Sequence, residues 1–207
     1  MGSGGRARPG WCGRCGGSAV RVVELTGETW PLLEELFGPN GARAGCWCTW
    51  FWQSPARMRA NGSAGNRELL RSRAREGAPP GLLALEGERP VGWVAVAPRS
   101  SYPRLARSPV AAPVPADEDT TGTWSVTCFF VHRTARRRGL GAELLEHAVR
   151  FAHDRGALLV EGYPVDTGGA KAASGDLYHG TLGMFLDAGF ELVERRGAHR
   201  ALVRLAP

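Results

Sequence analysis

Lysine is almost absent from this 207-residue chain. Lys171 is the one example, and the rest of the Lys+Arg total of 26 is arginine. The net charge of +6 is therefore carried by planar, forked cations suited to anions; an arginine-rich codon bias gives the same excess. The arginines are scattered rather than gathered in a stripe, so nucleic-acid binding is not expected. Long apolar runs are also missing. None approaches the roughly 18–20 residues that a membrane span needs. The opening segment, MGSGGRARPGWCGRCGGSAV, has no apolar stretch of the kind a secretory signal requires. The expectation is a cytoplasmic protein with no membrane partner. Cysteine is sparse and odd in number: Cys12, Cys15, Cys46, Cys48 and Cys128. An odd count without a secretory signal argues against a disulfide framework.

With 43% hydrophobic and 22% charged residues, the composition is that of one globular domain. Residues 1–18 are rich in glycine and arginine and read as a disordered tail, leaving 19–207 as a single domain. Residues 19–25 alternate as a strand. TGETWPLLEELFG comes next, with a threonine cap and a proline near the helix start. A second helix is expected at 66–77. Two apolar runs around EGER predict a hairpin with strands near 81–86 and 91–97. Residues 99–122 read as a long loop, 123–132 as a β-branched and aromatic strand. A helix over 139–154 shows Leu140, Leu144, Ala148, Phe151 and Ala152 on one face. A strand at ALLVEGYPV, a short helix at TLGMFLDAGF and a terminal hairpin complete the order. It implies a mixed α/β fold around one central sheet.

The most informative stretch is VHRTARRRGLGAELLEHAV, residues 131–149. A strand ends, a basic turn intervenes, and a helix begins at two glycines. A helix N-terminus offers unpaired N–H groups and partial positive charge, and so an anion site. Gly139 and Gly141 allow close approach to the backbone, and Arg136, Arg137 and Arg138 add charge. The expected ligand is a pyrophosphate. Neither G-x-x-x-x-G-K-S/T nor G-x-G-x-x-G occurs here, which excludes a P-loop and a dinucleotide fingerprint.

The stretch Arg136-Arg137-Arg138-Gly139-Leu140-Gly141 fits Gln/Arg-x-x-Gly-x-Gly/Ala. It resembles the coenzyme A loop of the GNAT superfamily of N-acetyltransferases, and Phe129-Phe130-Val131-His132 stands where that family has its central strand. The family usually has proline where this chain has Arg133. The resemblance implies the GNAT fold, α/β with a mixed, mostly antiparallel sheet flanked by helices. It also implies acetyl transfer from acetyl-CoA, the cosubstrate, to a primary amine by direct attack on the thioester. Backbone groups of Phe129, Phe130 and Val131 would hold the pantetheine arm. Residues 136–141, including Leu140, would hold the pyrophosphate. Dimers are common in the superfamily, so a homodimer fits it. Many members place a tyrosine four residues before the glycine of the GF pair, where it protonates the departing thiolate. Here that residue is Phe185. Tyr178 or Tyr163 are the candidate substitutes, with water as a third route. Glu161 and Asp166 are the candidate bases, acting directly or through water, and His179 is a further candidate. His132 and Cys128 read as structural. The alternative is a catalytically weak acyl-CoA-binding or regulatory protein.

GCWCTWFWQ, residues 45–53, is the most unusual segment. In the GNAT fold this region commonly lines the acceptor pocket. Trp47, Trp50 and Trp52 are therefore candidates for an aromatic wall that would suit an apolar or cationic amine; the competing reading is that they close the core. Cys12-x-x-Cys15 and Cys46-x-Cys48 could supply four zinc ligands, but the first pair lies in the tail and the second is irregularly spaced. No metal is expected. WCGRC lacks the strand and helix that a thioredoxin-type motif needs.

Overall fold

The computed structural model describes residues 20–114, 120–168 and 177–207. The expected tail and its Cys12-x-x-Cys15 pair lie outside the described residues. The chain forms β1 (Arg21–Glu24), α1 (Trp30–Phe37), α2 (Pro55–Glu76), β2 (Gly81–Glu86), β3 (Arg89–Pro98), β4 (Thr123–Val131), α3 (Leu140–His153), β5 (Leu159–Gly162), α4 (Leu182–Asp187), β6 (Glu191–Arg196) and β7 (Arg200–Leu205). One seven-stranded sheet runs in the order β1-β2-β3-β4-β5-β7-β6. Every pairing is antiparallel except β4 with β5. This is the mixed α/β architecture that the sequence pattern implies.

The β2–β3 hairpin closes at Glu86↔Arg89, leaving Gly87 and Glu88 as its turn. Gly87 has φ +62, a value that suits glycine in a two-residue hairpin. Both strands are buried on both faces, which explains their continuous apolar runs. On one face, α3 sets Leu144, Leu145, Ala148 and Phe151 against Val94, Val126 and Val160. On the other, α1 and α2 pack Leu33, Phe37 and Leu70 over Leu83, Trp93 and Ala95.

Helix α2 begins eleven residues before the expected 66–77. PARMRANGSAG carries no apolar period to reveal it. Its start is set instead by Ser54, whose side chain accepts the Arg57 N–H at 3.2 Å, and by Pro55 in the first turn. The helix is kinked at Gly62, φ +59, so the missing periodicity marks two segments joined at a glycine.

Two irregularities of β4 open the sheet at its centre. Ala95 pairs with Cys128 and Val96 with Val126, so Thr127 is an extra, bulged residue. The second is a parting of strands. β4 pairs with β5 only from Thr123↔Leu159 to Val126↔Gly162. Beyond Val126 no described strand lies on that side of β4 as far as Val131; the Thr127 carbonyl accepts from the His179 ring and the Val131 carbonyl from Arg136 Nε at 3.0 Å.

Candidate active site

The open edge leads into the basic loop. His132 ends the strand, and its ring accepts the Thr134 N–H. A single 3-10 turn buries Ala135. Arg137 then takes φ +61 and Gly139 φ +83 before α3 begins. A non-glycine residue at positive φ costs about 1–2 kcal/mol, so the turn is held in this shape by its surroundings. The backbone N–H groups of 136–141 donate to no acceptor among the described residues. They border a cavity of about 270 Å³ lined by Phe129, Phe130, Val131, Arg136, Arg137, Gly139, Leu140 and Gly141. These are the predicted cofactor residues with one exception. Arg138 turns away and pairs with Glu86, leaving only its backbone in the loop.

A larger cavity of about 560 Å³ adjoins the other face of β4. Its walls are residues 42–44, 46, 48, 50 and 51, the first half of α2, Thr127 and Cys128 from the bulge, and Tyr178 and His179. Tyr178 lines both cavities. Burial raises its phenol above the ordinary value, with the Arg43 guanidinium, 5.7 Å from its ring centroid, acting in the opposite direction; at neutral pH it is an O–H donor. His179 is lowered to about 4, first by burial and then by the charge of Arg200. It is thus neutral, and its Nδ1–H donates to the Thr127 carbonyl at 2.8 Å, leaving Nε2 as the ring's acceptor.

The wall at 41–48 is strained. Ala42, Ala44, Trp47 and Cys48 all have positive φ, as do Gly41 and Gly45. A buried polar network holds it in place. Gln53 donates to Thr49 at 3.0 Å and to Asn66 at 2.7 Å, and Asn66 donates to the Gly45 carbonyl at 3.0 Å.

The three tryptophans part company here. Trp50 is 45% exposed and lines the cavity, with the Arg104 guanidinium 3.6 Å from its ring. Trp47 is 3% exposed and belongs to the core, where it stacks on Trp30 and donates to Ser63. Trp52 packs edge-on against Tyr102 at 4.9 Å. Neither of the latter two lines the cavity.

The two expected bases are also held elsewhere. Glu161 is 1% exposed. One of its oxygens accepts from Arg204 at 2.8 and 2.9 Å; the other accepts from Arg99 and from Tyr163 at 3.0 Å. Asp166 pairs with Arg195 at 3.2 Å and accepts the Gly168 N–H at 3.1 Å. Neither borders the cavities. Tyr163 is buried within the Glu161 cluster and is no substitute acid. Among the described residues, Tyr178 is therefore the titratable group outside the basic loop that faces both halves of the site, and its neighbour His179 faces the larger one.

The profile of the acetyltransferase (GNAT) family matches residues 46–169. The chain belongs to the GNAT family. The matched span takes in the cavity wall from Cys46 onward, both irregularities of β4, the basic loop and α3. No curated protein matches the sequence. Among solved structures, a GCN5-related N-acetyltransferase from Kribbella flavida superposes with a TM-score of 0.55 at 14% identity, covering 91% of this chain and 98% of that one. PaiA N-acetyltransferase from Thermoplasma acidophilum, solved in complex with coenzyme A, gives 0.50 at 12% identity, covering 91% and 99%. At these identities the likeness shows the GNAT fold.

Phe185, in the position of the family's tyrosine, is fully buried in this GNAT protein. It packs edge-on against Phe129 and Phe190. A Cβ added at Gly162 would lie 2.2 Å from its ring, so the ring is seated against bare backbone. Phe185→Tyr is expected to lower stability by about 1–3 kcal/mol through an unpaired buried hydroxyl, with no gain in turnover. Denaturant titration beside a turnover assay checks this; a stable, faster variant would show that the hydroxyl reaches the reacting sulfur.

Proposed function

We propose that the protein transfers an acetyl group from acetyl-CoA to a primary amine. The observation that carries this is the position of Tyr178, shared by a cavity along the free edge of β4 and a larger one beyond it. Acetyl-CoA supplies the activated thioester. Backbone groups of Phe129, Phe130 and Val131 are suited to pair with its extended arm, as a strand edge pairs with a peptide. The free N–H groups of 136–141, at the positive end of α3, suit the pyrophosphate. Tyr178 is the proton donor for the departing thiolate, and water takes the proton of the amine, held by His179 Nε2 as a hydrogen-bond acceptor. The charged residues described in the larger cavity are Arg43 and Arg59, set against the one thiolate of Cys46. That balance favours an amine that also carries an acidic group over a polycation.

Acetyl-CoA is expected to raise the melting temperature selectively over ATP and NAD at equal concentration; a ligand at 100 times its Kd contributes about 2.7 kcal/mol. Thiol release on adding amines then tests transfer. Binding without release from any amine would favour a catalytically weak acyl-CoA-binding protein, a reading that Phe185 supports. Gly139→Glu places a carboxylate in the smaller cavity, where no protein atom lies within 4 Å of an added Cβ. It is expected to weaken acetyl-CoA binding about 10²-fold, or ~2.7 kcal/mol. Normal binding by the folded variant would remove the loop from the pyrophosphate site.

A further inference from the structure

Three cysteines that the proposed reaction does not use converge on the larger cavity. Cys46 and Cys48 come from its strained wall, and Cys128 from β4 beside the bulge. The extra residue at Thr127 breaks the alternation of the strand. Thr127 and Cys128 consequently both line this cavity, while Val126 and Phe129 lie in the core on the opposite face. Cys48 meets Cys128 across 80 residues of sequence, with their Sγ atoms 3.2 Å apart. All three are free thiols. No group of three or more His, Cys, Asp or Glu among the described residues could hold a metal ion, so the cluster is not arranged as a metal centre.

We propose that this cluster is a redox modification site, in which Cys48 and Cys128 form a reversible disulfide and Cys46 is the thiol through which a small disulfide enters. The Cys46 thiolate attacks a low-molecular-weight disulfide, RS–SR, forming a Cys46–SR bond and releasing RS⁻, which is protonated. Cys48 then attacks the Cys46 sulfur, expelling the second RS⁻ and forming Cys46–Cys48. Cys128 attacks the Cys48 sulfur, forming Cys48–Cys128 and returning Cys46 as thiolate. In sum, two protein thiols are oxidised by two electrons, one RS–SR is reduced, and two RSH leave with the two protons.

The environment of each sulfur suits its role. A hydrogen bond from the Cys48 thiol, working against burial, lowers Cys46 to about 6, whereas hydrogen bonds to Cys128 and Cys46, with burial, push Cys48 well above the ordinary thiol range. Cys46 is half-buried and Cys48 buried, so the accessible thiol is also the one that is ionised at neutral pH and the best leaving group in the last exchange. The buried network of Thr49, Gln53 and Asn66 keeps the wall against β4, holding Cys48 near its partner. The bond would tie that wall to the strand and fix the shape of the larger cavity.

The test is incubation of the full chain with oxidised glutathione, then non-reducing tryptic mapping. The expected product joins peptide 44–57 to peptide 108–133, with loss of two hydrogens and reversal by a thiol reductant. Cys48→Ser is expected to abolish the link. Cys46→Ser is expected to retain it but to form it roughly tenfold more slowly. The cysteines at 12 and 15 fall in other tryptic peptides and do not confuse the map. Three cavity thiols left free, or bearing only glutathione, would overturn the proposal. So would a link that forms equally well in Cys48→Ser, and an unchanged rate in Cys46→Ser would remove Cys46 as the point of entry. The first readout uses the unsubstituted chain, so it stands even if a variant fails to fold.

Discussion

Glu161→Ala is expected to lower the unfolding free energy by about 3–5 kcal/mol, the range for breaking one partner out of a buried ion pair. Glu161 compensates Arg99, which is itself only 5% exposed and also donates to the Ala111 carbonyl at 2.7 Å. Arg204 closes on the other carboxylate oxygen. Ser125 and the Tyr163 hydroxyl, 2.8 Å apart, complete the cluster. Removing the carboxylate leaves the Arg99 guanidinium in the interior with no counter-charge among the described residues. Denaturant titration measures the loss. A variant that keeps its stability and loses only turnover would return Glu161 to the role of base.

Tyr178→Phe is expected to reduce turnover about 10²–10⁴-fold, the usual contribution of a positioned general acid, while acetyl-CoA affinity stays as it was. The ring remains to line both cavities; only the hydroxyl is lost. Separate measurement of kcat and of cofactor binding distinguishes this from a packing defect, which would lower both. Unchanged kcat would mean that water protonates the thiolate, which is chemically tolerable because a thiol titrates near ~8.5. The Tyr178 and Phe185 variants thus point in opposite directions: one removes a hydroxyl from the site, the other adds one to the core.

The order of elements is legible in the sequence because the hairpin at 81–98 and the strand-loop-helix at 123–154 carry strong local patterns. An apolar run ending at Val131, a basic turn and a 3.6-residue period cannot easily be anything else. The side chains of the site are legible only where backbone makes them so. The motif alone points to residues 129–131 and 136–141, all but one of which border the smaller cavity; the exception is Arg138, whose partner, Glu86, lies 52 residues away. Glu161 and Asp166 look available because nothing near them in sequence announces Arg99, Arg204 or Arg195. Trp47 and Trp50 are three positions apart with similar neighbours. Which one meets the cavity is settled by left-handed backbone at Ala42, Ala44, Trp47 and Cys48, residues for which no propensity predicts it. The bulge at Thr127 is equally silent, since it depends on register with β3. Tyr178 is one of two candidate acids in the sequence, and its place between two cavities is a property of the fold.

The parting of β4 from β5 also bears on how the protein avoids misassembly. A row of unpaired strand groups is ordinarily a template for another chain, and proteins blunt such edges with charge, brevity or cover. This edge is interior to the sheet. It is closed at one end by the four pairs from Thr123 to Val126 and bounded at the other by a turn rich in arginine. A strand from a second molecule would have to enter a blind slot side chains first. The same opening that leaves backbone available for binding is thereby kept off the sheet's outer edges, where a second chain would pair most readily.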